Sequence, residues 1–335
     1  MNHFKKILKI IAIIAITLVV IFLGLSAKKD PDQIFYGVSF SKFHSDELKL
    51  PWKDVYKAIL DDLGVRRFRL SAHWPITEPE RGNYNFSELD YQVEEAQKRN
   101  AEVILVVGRR APGWPECHEP QWATQLPWEE RKEAILSYVE ATVNHYKGYE
   151  NIKYWQVENE PFLSVFAKEQ CGDFDEDFFK EEVSLVKKLD PSRNILVTDS
   201  GNLGLWANPW RSGDIFGTSV YIYLWNPTIG QVKTVYLPSF YKAKANLMEL
   251  IFGKKKSILI ELSTEPWLLA PIVDSPLDVQ ISRMDIEKFN SIISFAEGTG
   301  FDEQYLWGAE WWYWMKDRGH PEYWARGKEI FSNSR

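Results

Sequence analysis

Cysteine is nearly absent. Of 335 residues only Cys117 and Cys171 carry a thiol. Two cysteines exclude a disulfide-dense scaffold. They also leave Cys117-His118-Glu119 without a second His or Cys at ligand spacing, so no metal site is expected. No Gly-x-Ser-x-Gly occurs, which leaves a serine hydrolase unsupported. The first predicted strand is followed by no glycine-rich phosphate loop. Gly37-Val38-Ser39 is not one, which counts against a doubly wound nucleotide-binding sheet. Internal repeats are lacking, as are low-complexity tracts beyond the N-terminus. Basic residues are in deficit, 40 against 47 acidic. Lys5, Lys6, Lys9, Lys28 and Lys29 lie in the first 29 residues, which hold no acid. The remainder therefore carries 35 basic against 47 acidic residues, a net charge of −12. A nucleic-acid partner needs basic surface, so none is expected.

There is a single long apolar run, residues 10–27, with Thr17 and Ser26 its only hydroxyls and no charge. Eighteen residues approach the minimum for crossing a bilayer. The lysines before the run keep the N-terminus cytoplasmic. The reading is an uncleaved signal anchor at 1–29. A cleaved signal peptide, with Gly24 and Ser26 near the cut, is the alternative. No cysteine follows for lipid attachment. Either way residues 30–335 form one exported domain, membrane-bound or secreted.

What is abundant is tryptophan, fifteen in all. Trp114, Trp122, Trp128, Trp206, Trp210, Trp225 and Trp267 fall in predicted loops. Core filling is the ordinary use of such rings; stacking on sugar rings is the functional one.

After the linker the pattern alternates. Strands are predicted at 34–40, 65–70, 103–107, 152–157, 195–198, 215–221, 257–261 and 304–309. Helices are predicted at 52–63, 88–98, 129–146, 175–189, 240–252, 286–296 and 322–331. The unit between Ser200 and Asp214 offers only a short helix. Residues 103–107 are unbroken apolar, as in a parallel strand buried on both faces. Eight strand–helix units in this order predict an α/β (β/α)8 TIM barrel. In such a barrel the C-terminal strand ends carry the chemistry.

Two of those ends stand out. Tyr154-Trp155-Gln156-Val157-Glu158-Asn159-Glu160-Pro161 runs from strand four into a proline-stopped turn. Ser257-Ile258-Leu259-Ile260-Glu261 ends strand seven. The 101 residues between Glu160 and Glu261 equal about three units of roughly 31 residues. Asn-Glu-Pro, the distant strand-seven glutamate and the barrel pattern together resemble the clan A glycoside hydrolases, over about residues 35–323. These are retaining barrel enzymes acting on β-linked sugars. The resemblance implies Glu160 as acid/base and Glu261 as nucleophile, Asn159 on the sugar 2-hydroxyl, and Arg69 and Tyr221 on the nucleophile. Tyr223 competes with Tyr221. It also implies a sugar-flooring tryptophan after strand eight, either Trp311 or Trp312. His73, in the loop after strand two, is a substrate contact or a structural hydrogen bond. Glu310 is read as barrel capping, Glu78 as structural, and Glu158 as partner of a neighbouring basic group.

Glu265 is the rival nucleophile. Strand alternation puts Leu259 and Glu261 on one face and Ile258 and Ile260 on the other. Glu261 continues the strand and is favoured, because strands position groups better than loops. No cofactor is implied. The reading is retaining hydrolysis of a β-glycosidic bond in an oligo- or polysaccharide, endo or exo. A transglycosylase using the same glutamates and a non-catalytic carbohydrate-binding barrel are the alternatives. Cys117 and Cys171 fall in the adjacent loops after strands three and four of an exported barrel, so a disulfide between them is expected.

Overall fold

The computed structural model describes residues 6, 7, 22–27 and 30–333, apart from 164, 166, 167, 227, 229 and 269. Most of the apolar run at 10–27, and with it the anchor or signal segment, lies outside the described residues. Among the described residues no helix is long and apolar enough to cross a membrane.

Eight parallel strands close into a barrel: β1 (Phe35–Ser39), β2 (Arg67–Ser71), β3 (Glu102–Val107), β4 (Ile152–Val157), β5 (Asn194–Ser200), β6 (Ile215–Val220), β7 (Ser257–Ser263) and β8 (Glu303–Trp307). Each pairs with its sequence neighbours, and β8 closes on β1 through Phe35–Glu303 to Ser39–Trp307. One helix packs outside after each strand: α1 (Trp52–Asp61), α2 (Ser87–Gln97), α3 (Trp128–Tyr146), α4 (Glu176–Leu189), α5 (Ala207–Ser212), α6 (Pro238–Phe252), α7 (Ile286–Glu297) and α8 (Glu322–Ser332). Unit five has the short helix that its sequence offered.

Helix ends follow local chemistry. Asp175 caps α4 by accepting from Phe178 N at 3.0 Å, and Lys187 and Lys188 occupy its last turn, matching the helix dipole. Asp285 caps α7 through Lys288 N. α6 stops at Gly253, whose φ of 94° suits glycine.

The alternation of strand side chains builds two cores. Ile104, Leu196, Ile215, Ile258, Ile260 and Tyr305 fill the barrel interior. Phe68, Leu70, Val103, Leu105, Trp155, Val157, Val197, Leu259 and Leu262 face the helices. Each such side chain stabilises the fold by about 1.5–3 kcal/mol on burial.

β7 departs from regular alternation. Its pairing with β6 steps from Thr218–Leu259 to Ser219–Glu261, and with β8 from Gln304–Leu259 to Leu306–Leu262. Both neighbours thus meet one extra residue after Leu259, a β-bulge. Plain alternation puts Glu261 with Leu259, and Leu259 faces the helices. The bulge turns Glu261 inward instead, so the expected sharing of a face is corrected.

Of the elements that were not anticipated, two shape the mouth of the barrel. A hairpin of Tyr223–Asn226 and Gly230–Lys233 lies between β6 and α6. Strand eight ends at Trp307, not at 309, and a helix, Ala309–Lys316, starts after Gly308. Gly308 has φ 114°, and a Cβ there would stand 2.8 Å from Glu265 Cβ, so both backbone and space require glycine.

The loops after β3 and β4 are joined by the expected Cys117–Cys171 disulfide, Cα–Cα 5.5 Å.

Candidate active site

Residues from β2, β4, β6 and β7 converge at the C-terminal mouth of the barrel. Glu261 is buried on β7. Arg69 Nη1 donates to its Oε2 at 2.7 Å, and the Tyr221 hydroxyl donates to its Oε1. Arg69 is itself buried inside the barrel on β2, where a guanidinium requires partners on every side. It finds them in Gln156 Oε1 at 2.9 Å and Asn159 Oδ1 at 2.6 Å. One arginine thereby ties the carboxylate on β7 to the strand that carries Glu160.

Glu160 follows β4 in a left-handed backbone conformation, φ 44°, as does Glu158 at 58°. Non-glycine residues pay of order 1–3 kcal/mol for sparsely populated backbone regions, and such residues cluster at functional sites. The turn is held by Glu160 N donating to Thr198 Oγ1 at 2.8 Å, and by Ser219 Oγ donating to Glu160 Oε1 at 2.6 Å. Burial, then the Glu261 charge, pushes the Glu160 carboxyl up to about 8, with Ser219 pulling the other way. A carboxyl that keeps its proton beside one that is held by a guanidinium is the asymmetry an acid–nucleophile pair needs.

Glu158 points away from this pair. Its carboxylate accepts from Arg109 N at 2.9 Å and Arg110 N at 2.8 Å, so it secures the loop after β3. Burial and then the Glu158 charge hold the neighbouring Glu182 carboxyl well above the usual range. The expected partner of Glu158 is therefore mainly backbone. Glu78 is structural, as expected: it accepts from Trp74 Nε1 and Gly82 N, both at 2.7 Å.

Glu265 lies outside the pair. Its Oε1 accepts from Trp307 Nε1 at 2.6 Å and its Oε2 meets His44 Nε2 at 2.7 Å. Burial pulls the His44 ring down, but Glu265 and Glu47 outweigh it and raise it well above the ordinary histidine range.

Trp311 and Trp312 are fully buried, which corrects the expectation that one of them floors the sugar site. Both sit in the helix Ala309–Lys316, where they turn into the barrel wall. Trp311 Nε1 donates to Gln280 and Trp312 Nε1 to the Thr264 carbonyl. The strand-eight aromatic at the mouth is Trp307. It is half-buried, with its ring edge 3.3 Å from where a Gly113 Cβ would stand. Its sequence signal was its place as the last residue of the strand, obscured by the aromatic run that follows.

His73 is buried against Phe43 and His118, and its Nε2 has no hydrogen-bond partner among the described residues. Burial, then His118, lowers it well below the ordinary value, so it serves as a neutral ring. Of the loop tryptophans, Trp206 and Trp210 are core, packed on Phe216. Trp267 is exposed and its ring lies 5.4 Å from that of Tyr221 at the site. Trp114 is exposed on the loop after β3. Ser219, Gln156 and Glu116 were not singled out in the sequence. Polar residues inside a barrel strand were the available signal for the first two.

Comparison with known proteins bears on this geometry. The sequence model of glycosyl hydrolase family 10 matches residues 62–198, a stretch that contains Arg69, Asn159 and Glu160. An endo-1,4-beta-xylanase A of Humicola insolens is 28% identical over 142 residues, 38% of this chain and 33% of that protein. An endo-1,4-beta-xylanase 2 of Claviceps purpurea is 27% identical over 181 residues, 51% of this chain and 50% of that protein. By these matches the chain is similar to the clan A glycoside hydrolases. It spans half or less of the length of these relatives. Solved structures share the barrel fold. Xylanase 10B of Thermotoga maritima superposes with TM-score 0.53 at 15% identity, covering 82% of this chain and 83% of that one. The family 5 subfamily 18 protein of Bifidobacterium longum gives 0.57 at 13%, covering 82% and 70%.

Proposed function

We propose that this clan A chain is a retaining β-glycosidase with Glu261 as nucleophile and Glu160 as acid/base. The observation that carries the reading is the contrast between the two carboxyls. Glu261 is held by Arg69 and Tyr221, while Glu160 is half-buried and, among the described residues, accepts on its Oε1 from Ser219 alone.

In the first step Glu261 attacks the anomeric carbon as the glycosidic bond breaks, and the leaving oxygen takes the Glu160 proton. In the second, Glu160, now a carboxylate, removes a proton from water. That water attacks the anomeric carbon and frees Glu261. The Arg69 guanidinium orients Glu261 for attack. Asn159, fixed by Arg69, faces the sugar at the same subsite, and Trp307 supplies an apolar face. No step needs a cofactor.

The first substrates to try are β-1,4-linked polymers, because the relatives carry the name endo-1,4-beta-xylanase. The apolar N-terminal run and the disulfide support an exported enzyme, anchored or secreted.

Azide rescue tests the assignment. With an activated aryl glycoside and azide, Glu261→Ala should form the inverted glycosyl azide and Glu160→Ala the retained one. Normal turnover by Glu261→Ala, with loss in Glu265→Ala, would move the nucleophile to Glu265.

A further inference from the structure

The loop after β3 brings a third carboxyl to this site. Glu116 stands one residue before the disulfide cysteine Cys117, with its backbone in the left-handed region at φ 75°. That conformation is enforced from both sides. Glu116 N donates to the Gly113 carbonyl at 2.8 Å, and Ala111 N donates to the Glu116 carbonyl at 3.0 Å. Arg110 and Cys117 also pair as an antiparallel bridge. The loop is thus a fixed mount, and the disulfide ties it to the loop that follows Glu160.

The side chain is badly served by the protein around it. Oε2 is shut off from solvent and makes no hydrogen bond among the described residues. The Arg110 Nε nearest to it is 3.7 Å away, beyond hydrogen-bonding reach, and that nitrogen also lacks a hydrogen-bond partner among the described residues. Burial, against the pull of Arg110, pushes Glu116 up to about 7, with the Glu261 charge adding to the rise. Arg110 seats it beside the reacting pair: its Nε stands 3.7 Å from Glu116, and its carbonyl accepts from Asn159 N at 2.8 Å, next to Glu160. On the other side Gly113, which accepts from Glu116 N, lies against the Trp307 ring.

Its neighbour supplies the complementary half of a site. Asn159 gives its oxygen to Arg69, so only its amide hydrogens remain to offer. A donor from Asn159 beside an acceptor from Glu116 matches a group that both accepts and donates. A sugar hydroxyl does both; an ether, a C–H or an acylated oxygen does not.

We propose that Glu116 is a specificity-determining residue that accepts a hydrogen bond from one free hydroxyl of the sugar bound over Glu160 and Glu261. It thereby selects glycones unsubstituted at that position. The inference rests on the glycosidase reading above.

The test is a cycle of enzyme and substrate deletions. Wild type, Glu116→Ala and Glu116→Gln are assayed on the aryl β-glycoside that wild type cleaves fastest, and on its 2-, 3-, 4- and 6-deoxy counterparts. At one position, deoxygenation should cost wild type about 10- to 100-fold in kcat/KM, the value of a hydrogen bond to a charged group. That loss should vanish in Glu116→Ala and shrink in Glu116→Gln. Thermal melts identify any variant that fails to fold, and the Gln variant, close in shape, then carries the cycle alone. Equal deoxy losses in all three enzymes, whatever the overall rate, would overturn the inference and leave the glycosidase reading standing. A wild type without activity on any aryl β-glycoside or β-glycan overturns both.

Discussion

Arg69 is the residue on which the site turns. It bridges Glu261, Gln156 and Asn159 with three different nitrogens. A lysine has one nitrogen and no fork, so it cannot hold three partners in fixed directions. Arg69→Lys should lower kcat by at least about tenfold, the rate equivalent of roughly 1.4 kcal/mol. Steady-state kinetics on an aryl glycoside will show it, and an unchanged kcat would contradict the bridging role. In the proposed mechanism Glu160 sets the alkaline limit. Its proton is needed for the first step and its carboxyl is held at about 8. The acid form is complete well below that value and is lost as pH rises through it. The kcat/KM profile should therefore fall above about pH 8, and the limb should disappear in Glu160→Ala with a substrate whose leaving group needs no proton. The tryptophans separate binding from packing. Trp307→Ala should raise KM. Trp311→Ala should leave KM unchanged and cost about 3–5 kcal/mol of stability by chemical denaturation, because it empties a packed wall.

At the level of elements, β7 shows how much of the site was legible in the sequence. The apolar run 257–260 was enough to place the strand, and the glutamate at its end and the spacing to Glu160 favoured Glu261 over Glu265. Its direction was not readable, because alternation sends Glu261 toward the helices with Leu259. The pairing steps on both edges show the extra residue that reverses it. A bulge is a property of three strands in register, so one strand's sequence does not declare it. The same holds for Trp307 and Trp311. In the sequence both follow strand eight, and only the backbone turn at Gly308 sends one to the mouth and the other into the wall. Ile260→Val should cost about 0.5–1.5 kcal/mol of stability and keep activity. Chemical denaturation beside an aryl glycoside assay checks both, and loss of turnover in a folded variant would contradict a packing role for Ile260.

For the whole molecule, the barrel closes within residues 35–307, so the segment 1–29 supplies none of its strands. A protein comprising residues 30–335 should be soluble and as active as the full chain on small aryl glycosides; failure to fold would show that the segment belongs to the core. The disulfide acts at this scale too. Its 54-residue span should contribute about 4 kcal/mol through the unfolded chain. Thiol titration of unreduced, denatured protein should find none. That covalent ring has a consequence for survival outside a cell. It encloses α3, β4 and the turn bearing Glu160. A protease that cuts the chain once between Cys117 and Cys171 leaves two pieces still joined by sulfur. The nicked enzyme would run as one band until reductant is added, and could keep working in surroundings rich in hydrolytic competitors.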